Sequence, residues 1–320
     1  MKQQSLGLGM STKRTRRREF LKEMDRVVPW RELAELVSSY QIDKGRGRPP
    51  FAVEVMLRIH FMQQWFNLSD PAMEEALHDV PLFREFAGLG GWFDALPDET
   101  TTLRFRHLLE KHKLAPKILA TVNDVLAAKG LMLRRGTVVD ATLIAAPSST
   151  KNASGERDSD MKQSRKGQQW YFGMKAHIGV DADSGLVHTV RGTAGSVNDV
   201  VEANQLLHGQ ELQVFADAGY QGADKRADAR AGVEWLVALR PGKRRTLYPS
   251  DAQDRLTEQI ERLKASVRAK VEHPFRVIKR QFGHVKVRYR GLRKNTAQLH
   301  TLFALANLCL VRGELLGATA

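Results

Sequence analysis

Val214–Gly222 reads VFADAGYQG: a short apolar run, a single carboxylate at Asp217, then a glycine turn. A run of this kind is a buried strand, and the acid falls where the strand ends. The same texture recurs upstream in TVVDATLIAAP, beginning at Thr137, where Asp140 lies inside a β-branched strand. Between them YFGMKAHIGVDADSGLVHTVRGTAG predicts two strands around a turn at Asp183, Ser184 and Gly185. A helix over 198–207, the strand VFAD, a helix over 223–231 and the strand VEWLVAL follow. The order β-β-β-α-β-α-β ending in a long helix predicts an α/β fold, a ribonuclease H-like mixed five-stranded sheet with flanking helices. Ser148–Gln169 is poor in hydrophobic residues and long for a connection, so it is expected to be a disordered loop or one that orders on a ligand.

N-terminal to this region the pattern is helical. FAVEVMLRIHFMQQWF (51–66) carries apolar residues at helical spacing, and NLSDP ends it with a proline suited to the next helix. Further helices are expected over 71–78, over 82–87 and after PDETT, where Asp98 or Thr100 can cap LRFRHLLEKH. Arg104, Arg106, His107, Lys111 and Lys113 lie on or beside that fourth helix. They suit a helix-turn-helix reader of DNA, or equally a plain helical domain with a polar face. The expected division is a basic tail over 1–50, a helical DNA-binding domain over 51–130 and the catalytic domain over 131–312.

Charge points to the partner. The 320 residues hold 50 Lys and Arg against 36 Asp and Glu, a net +14. Residues 240–294 alone hold 17 basic against 5 acidic side chains, and KRTRRR (13–18) adds to 12 against 6 in the first fifty. Such an excess favours a polyanion, because neutralising phosphates releases counterions. The most apolar stretch, LFALANLCLV (302–311), is about half the ~20 residues of a spanning helix. No apolar segment follows the basic N-terminus, so no membrane partner and a cytoplasmic chain are expected. Cys309, the single cysteine, falls inside the apolar stretch and is expected to be a small buried hydrophobe.

In the predicted strand order the strands of Asp140 and Asp217 are neighbours. Two close carboxylates repel and raise each other's pKa unless a cation lies between them, and Mg²⁺ takes such oxygen ligands. A third acid is offered by ERLKASVRAKVEHPFRVIKRQFG (261–283), where Glu272 is the only acid after Glu261. There Ile260, Leu263, Val267, Val271, Phe275, Ile278 and Phe282 form an apolar stripe, with Arg268, Glu272, Arg276 and Lys279 beside it. Pro274 is expected to bend the helix just after Glu272.

Taken together, PDETT, VVDATLI, WYFGMKAHIGVD, VFADAGYQG and VEHPFRVIKRQFG resemble bacterial insertion-sequence transposases of the DDE type, specifically the insertion-sequence-five family. A related Tyr-Arg-Glu-Lys signature, with gaps of two, three and six residues, is matched by Arg268, Glu272 and Lys279, whereas its tyrosine position holds Ala265. The resemblance implies Asp140, Asp217 and Glu272 as catalytic acids holding two Mg²⁺ ions, with Mn²⁺ able to substitute. It implies cleavage at transposon ends and joining of the 3′ ends to target DNA, by a homodimer assembled on double-stranded DNA. Arg268, Arg276, Lys279, Arg280, Lys175, Arg104 and Arg106 are the expected DNA contacts. His177 is expected to be a solvent-facing strand residue, and Trp170 and Tyr171 to stack on bases or to fill the core. A ribonuclease H-like nuclease or resolvase, and a DNA-binding regulator or catalytically inactive relic, are the alternative readings.

Overall fold

Thr15, Ser69 and Asp98 each place a side-chain oxygen where the first turn of a helix leaves backbone N–H groups unpaired, and in the computed structural model of the protein they cap three helices. The residues described are 13–40, 49–91, 94–152 and 155–317. The chain divides into two compact units, residues 1–112 with 311–320 and residues 113–310.

The first unit is helical: α1 (Arg16–Val27), α2 (Trp30–Ser38), α3 (Val53–Trp65), α4 (Asp70–Asp79), α5 (Pro81–Ala87), α6 (Glu99–Lys111) and a short helix at Arg312–Gly317. Its centre is α3, which buries Leu57, Ile59, Phe61 and Met62 completely. Phe61 meets Trp30 and Trp65, and Trp65 meets Phe86, in tilted and edge-on ring contacts of 5.6–6.0 Å. Prolines 71 and 81 stand in first turns, where a missing N–H costs nothing. All four helices expected in 51–111 form.

The stretch read as a basic tail is corrected over its described part. Apolar residues at steps of three and four, Leu21, Met24 and Val27 on α1 and Leu33 and Val37 on α2, are buried beneath the charge. Arg18 pairs with Glu85 at 3.0 Å. A dense Arg and Lys run hid an amphipathic helix whose inner face is apolar. Residues 1–12 and 41–48 of that stretch lie outside the described residues.

The second unit opens with α7 (Leu114–Ala128) and continues into a six-stranded sheet: β1 (Gly136–Ala145), β2 (Lys162–Lys166), β3 (Gln169–Asp181), β4 (Val187–Ala194), β5 (Gln213–Ala216) and β6 (Glu234–Val237). Neighbours run β2-β3-β1-β5-β6, with β4 on β3. β1 and β3 are antiparallel, as are β3 and β4, whereas β1, β5 and β6 are parallel. This is the ribonuclease H-like arrangement expected from the strand order, with one strand more than the five expected. β2 comes from the segment read as a loop: Lys162 to Lys166 pair with Gly173 to Gln169, around Gly167 at φ +62°. Backbone pairing with a long neighbouring strand supplies order that side-chain hydrophobicity did not signal.

Helices α8 (Asp199–Glu202), α9 (Pro241–Arg244), α10 (Ala252–Arg268), α11 (Glu272–Arg276) and α12 (Leu292–Leu310) complete the unit. α12 packs on α7 and β4. Buried Asn307 joins them, accepting from Val187 N at 2.9 Å and donating to Asn123 Oδ1 at 2.8 Å. Cys309 is buried, as expected. No helix among the described residues is long and apolar enough to cross a membrane.

Two further expectations fail. The helix expected over 223–231 shrinks to a 3₁₀ turn at Ala223–Lys225, because the chain turns extended at Arg226 and Asp228 binds Arg226 and Asn204. The apolar stripe of 260–282 is buried only from Val271 onward; Ile260 and Leu263 are 43% and 66% exposed. A 3₁₀ turn at Ala269–Val271 tightens the helix before Glu272 with the backbone still right-handed helical, and a π turn at Val277–Gln281 follows α11. Pro274 is the third residue of α11, and its missing N–H leaves the Lys270 carbonyl, inside that 3₁₀ turn, without a donor four residues on.

Candidate active site

Parallel pairing of β1 with β5 sets Thr137 against Val214 and Val138 against Phe215. Two residues further along each strand lie Asp140 and Asp217, on the same face by the period of two. Asp217 follows the last residue of β5 and caps a 3₁₀ turn at Ala218–Tyr220, its Oδ1 accepting from Gly219 N at 2.8 Å. A Cβ at residue 219 would stand 3.0 Å from that oxygen, so the glycine leaves room for the carboxylate. Asp140 Oδ1 accepts from Ala141 N at 2.7 Å.

Glu272 enters from the other side of the sequence. The 3₁₀ turn before it packs on β1, and Glu272, exposed, begins α11. Burial pushes the Asp140 carboxyl up to about 7, helped by the negative charges of Asp217 and Glu272; the Ala141 N–H and the Arg268 guanidinium pull the other way. Asp140 therefore feels both other acids and Arg268, although they lie 77, 132 and 128 residues away in sequence.

Asp217, Ala218, Ala265 and Arg268 line an open cleft of about 600 Å³ with Arg244 and Arg245. Ala265 leaves the cleft wall bare where the related signature carries a tyrosine. Arg276 and Arg280 are exposed. Lys279 is turned inward: its Nζ donates to Thr142 Oγ1 at 2.6 Å and to Leu143 O at 3.0 Å, tying the turn after α11 to β1. Lys175 likewise donates to Asp199 Oδ1 at 2.8 Å and Val197 O at 2.7 Å.

Two expectations are corrected here. His177 does not face solvent; it is fully buried, with Nε2 2.7 Å from Thr193 Oγ1, and burial lowers its pKa to about 4. Arg106 is also buried, paired with Asp70 at 2.7 Å and Glu110 at 3.3 Å. Of the basic residues on α6, Arg104, His107 and Lys111 are exposed and Arg106 is not; a helix position read one residue out of phase reverses a side chain's role. Trp170 is 64% exposed near the turn between β2 and β3, so it does not fill the core.

Two further residues belong to the site. Glu261, buried, accepts from Leu239 N at 2.9 Å and Lys264 Nζ at 2.9 Å, fastening α10 to the end of β6. Tyr220 is buried with its hydroxyl unpartnered, and burial together with Asp140, Asp199 and Asp217 raises its pKa. A glutamate at a helical position flanked by exposed apolar residues was the available signal for Glu261.

The sheet and its crossing order place the second unit among the ribonuclease H-like α/β proteins. Comparison with known families goes further: residues 132–308 match the transposase DDE domain, and residues 10–108 match a transposase domain of the DUF772 type. The chain belongs to the DDE transposases, a class of DNA-binding enzymes that cleave and transfer DNA strands. The insertion-sequence-five assignment is compatible with both matches.

Proposed function

We propose that Asp140, Asp217 and Glu272 are the catalytic and metal-ligating acids of a transposase that binds the terminal inverted repeats of an insertion sequence, cuts there and joins the 3′ ends to target DNA. The supporting observation is electrostatic: a half-buried Asp140 held near a pKa of about 7 by burial and by the charges of Asp217 and Glu272 is a carboxylate in need of a cation. Three hard oxygen donors fit Mg²⁺, or Mn²⁺ in its place, better than softer metals. Two such ions, when bound, supply the Lewis acidity that activates a hydroxyl and stabilises a leaving oxygen at phosphorus.

The chain's own residues do the rest. Gly219 N–H fixes one oxygen of Asp217 and Ala141 N–H one oxygen of Asp140, leaving the other oxygen of each for the metals. Arg268, on the cleft wall and close enough to act on Asp140, holds the scissile phosphate. Arg276 and Arg280 carry the flanking strand, Lys279 positions the Asp140 strand β1 through Thr142 and Leu143, and Lys175 ties β3, the neighbour of β1, to Val197 and Asp199. Arg104 on α6 contributes contacts to the phosphate backbone. Water first opens the phosphodiester and frees a 3′-hydroxyl; that hydroxyl then attacks a target phosphodiester, so that one bond forms as one breaks. Joining two ends calls for a homodimer on the DNA, working in the cytoplasm where bacterial DNA lies.

The test is Mg²⁺-dependent nicking and strand transfer on inverted-repeat DNA by wild type and Asp217→Asn, with end binding followed in the same samples. Removing a group that acts in the transition state is expected to cost at least about 10²–10³-fold in rate while binding persists. A wild type that binds but never cuts would instead support the regulator or relic reading; a variant that cuts equally well removes Asp217 from the site.

A further inference from the structure

A tryptophan stands in water at the tip of a basic hairpin. Trp170, the second residue of β3, is 64% exposed. The β2–β3 register sets Arg165 directly opposite it and Gln163 opposite Phe172, so these four side chains share one face of the hairpin. Arg165 Nε donates to Gly167 O at 2.9 Å, which anchors the guanidinium at the tip. On the same face the Arg157 guanidinium lies over the Phe172 ring, 5.6 Å from its centroid. Tyr171 faces the other way, its hydroxyl donating to Gln169 Oε1 at 2.8 Å.

The charged surface continues past Phe172. Arg157 also lines a pocket of about 230 Å³ with Arg288, Tyr289 and Arg290. Of the two acids on its wall, Glu156 and Asp158, the latter accepts from Gly291 N at 2.7 Å and so holds the loop that bears those arginines. Buried Asn295 fixes the same loop, donating to Tyr289 O at 2.7 Å and to Gly291 O at 2.8 Å. The stretch from Lys162 to Trp170 contains Lys162, Arg165 and Lys166 and no acid. Aromatic rings interleaved with guanidinium groups on a positive surface suit a single strand, because every base has a face to stack and every phosphate a charge to neutralise. A paired duplex keeps its base faces inside its own stack and gains little from such a surface.

We propose that Trp170, Phe172, Arg157 and Arg165 form a stacking platform for unpaired DNA bases, with phosphates carried by the arginines of the adjoining pocket. Which strand is held rests on the transposase reading; the stacking chemistry does not. Asp140 pairs with Ile178 on β3, and the period of two puts Phe172 and Trp170 on the same face of the sheet. Trp170 lies eight residues before Ile178, no more than about 27 Å along the strand. At about 3.4 Å per nucleotide that span is roughly eight nucleotides. The platform therefore meets DNA flanking the cut phosphodiester, and it gives the protein a preference for unpaired over paired flanks.

The full-length protein, in chelator and without metal, would be titrated by fluorescence anisotropy against oligo(dT), a paired duplex, and the same duplex with a central bubble of unpaired thymines. The wild type should bind oligo(dT) and the bubbled duplex more tightly than the paired one. Trp170→Ala should weaken binding to oligo(dT) and to the bubble by about 5- to 150-fold, the loss of stacking on one base, and change paired-duplex binding by less than about twofold. Trp170→Phe should recover most of that loss, and Arg165→Ala should reduce the salt slope on oligo(dT) by about 0.7. A wild type without preference for the bubble, a Trp170→Ala variant that binds all three probes as the wild type does, or one weakened equally on all three would each overturn the proposal. Because no metal is present, these outcomes are separate from whether Asp140, Asp217 and Glu272 cut DNA. A protein that shows the preference but never cuts keeps the platform and loses the three-acid reading; one that cuts without the preference loses the platform alone.

Discussion

At the scale of single residues, the energetics of Asp140 set a pH dependence with a definite sign. Its pKa is raised from 3.8 to about 7, so between those values the folded protein holds a proton that the unfolded chain has lost. Without metal, stability therefore falls as pH rises through this window, and the penalty is complete above about pH 7 and absent below about pH 4. Asp140→Asn should raise the Tm of the metal-free protein at pH 8, by about 2–4 °C per kcal/mol of relieved repulsion, and leave it unchanged at pH 4. A melting series across pH would show it; equal shifts at both ends would mean that Asp140 carries no such strain. Gly219→Ala makes the complementary test, because its methyl would stand 3.0 Å from Asp217 Oδ1 and displace it. Cleavage should fall by about tenfold or more, since small misplacements of a reacting group are costly, with Tm nearly unchanged.

Asp140 and Asp217 were legible because a strand has a period of two and a strict place in a parallel pair. Once TVVDATLI and VFAD are read as adjacent strands, their acids must meet. Arg106 was misread for the corresponding reason on a helix. Arg104 and His107, one turn apart, share a face, Arg106 lies on another, and the packing of α3 and α4 against α6 decides which face turns inward.

Among elements, the 3₁₀ turn between α10 and α11 packs on β1, and Glu272 follows it directly. The apolar stripe drawn through 260–282 assumed one continuous helix; the structure buries its second half and leaves Ile260 and Leu263 in solvent. Lys279 holds the second half in place through Thr142 and Leu143. Lys279→Ala should therefore destabilise the protein in the absence of DNA, by about 1.5–3 kcal/mol for hydrogen bonds from a charged donor, as measured by urea unfolding. A variant as stable as wild type but defective in DNA binding would assign Lys279 to the DNA alone. The 3₁₀ turn at Ala269–Val271 surrounds the carbonyl that Pro274 cannot bond, since proline has no N–H for Lys270 four residues back, and contact with β1 accompanies it.

For the whole molecule, a net charge of +14 makes association with DNA steeply dependent on salt. Each phosphate contact removed should reduce the slope of log K against log salt by about 0.9. Arg104→Ala, on the exposed face of α6, is expected to do so and to leave stability intact. Arg106→Ala should instead unfold the helical unit at lower denaturant, by about 3–5 kcal/mol, because Asp70 and Glu110 would lose a buried partner. Fluorescence anisotropy over a salt series, beside denaturant melts of both variants, separates the two roles; a changed salt slope with unchanged stability for Arg106→Ala would return it to the DNA surface.

The sequence by itself determined the order of five strands, the four helices of 51–111, the adjacency of Asp140 and Asp217 and the polyanionic partner, because periodicity, capping and net charge are local or additive properties. Only the tertiary structure decided that α1 and α2 bury a core beneath an arginine-rich surface, that β2 orders by pairing with β3, that Arg106 and His177 face inward, and that Arg157 and Arg165 meet the aromatic face of β3. Each of these depends on contact between segments far apart in the chain, where burial and backbone pairing outweigh what any short stretch prefers.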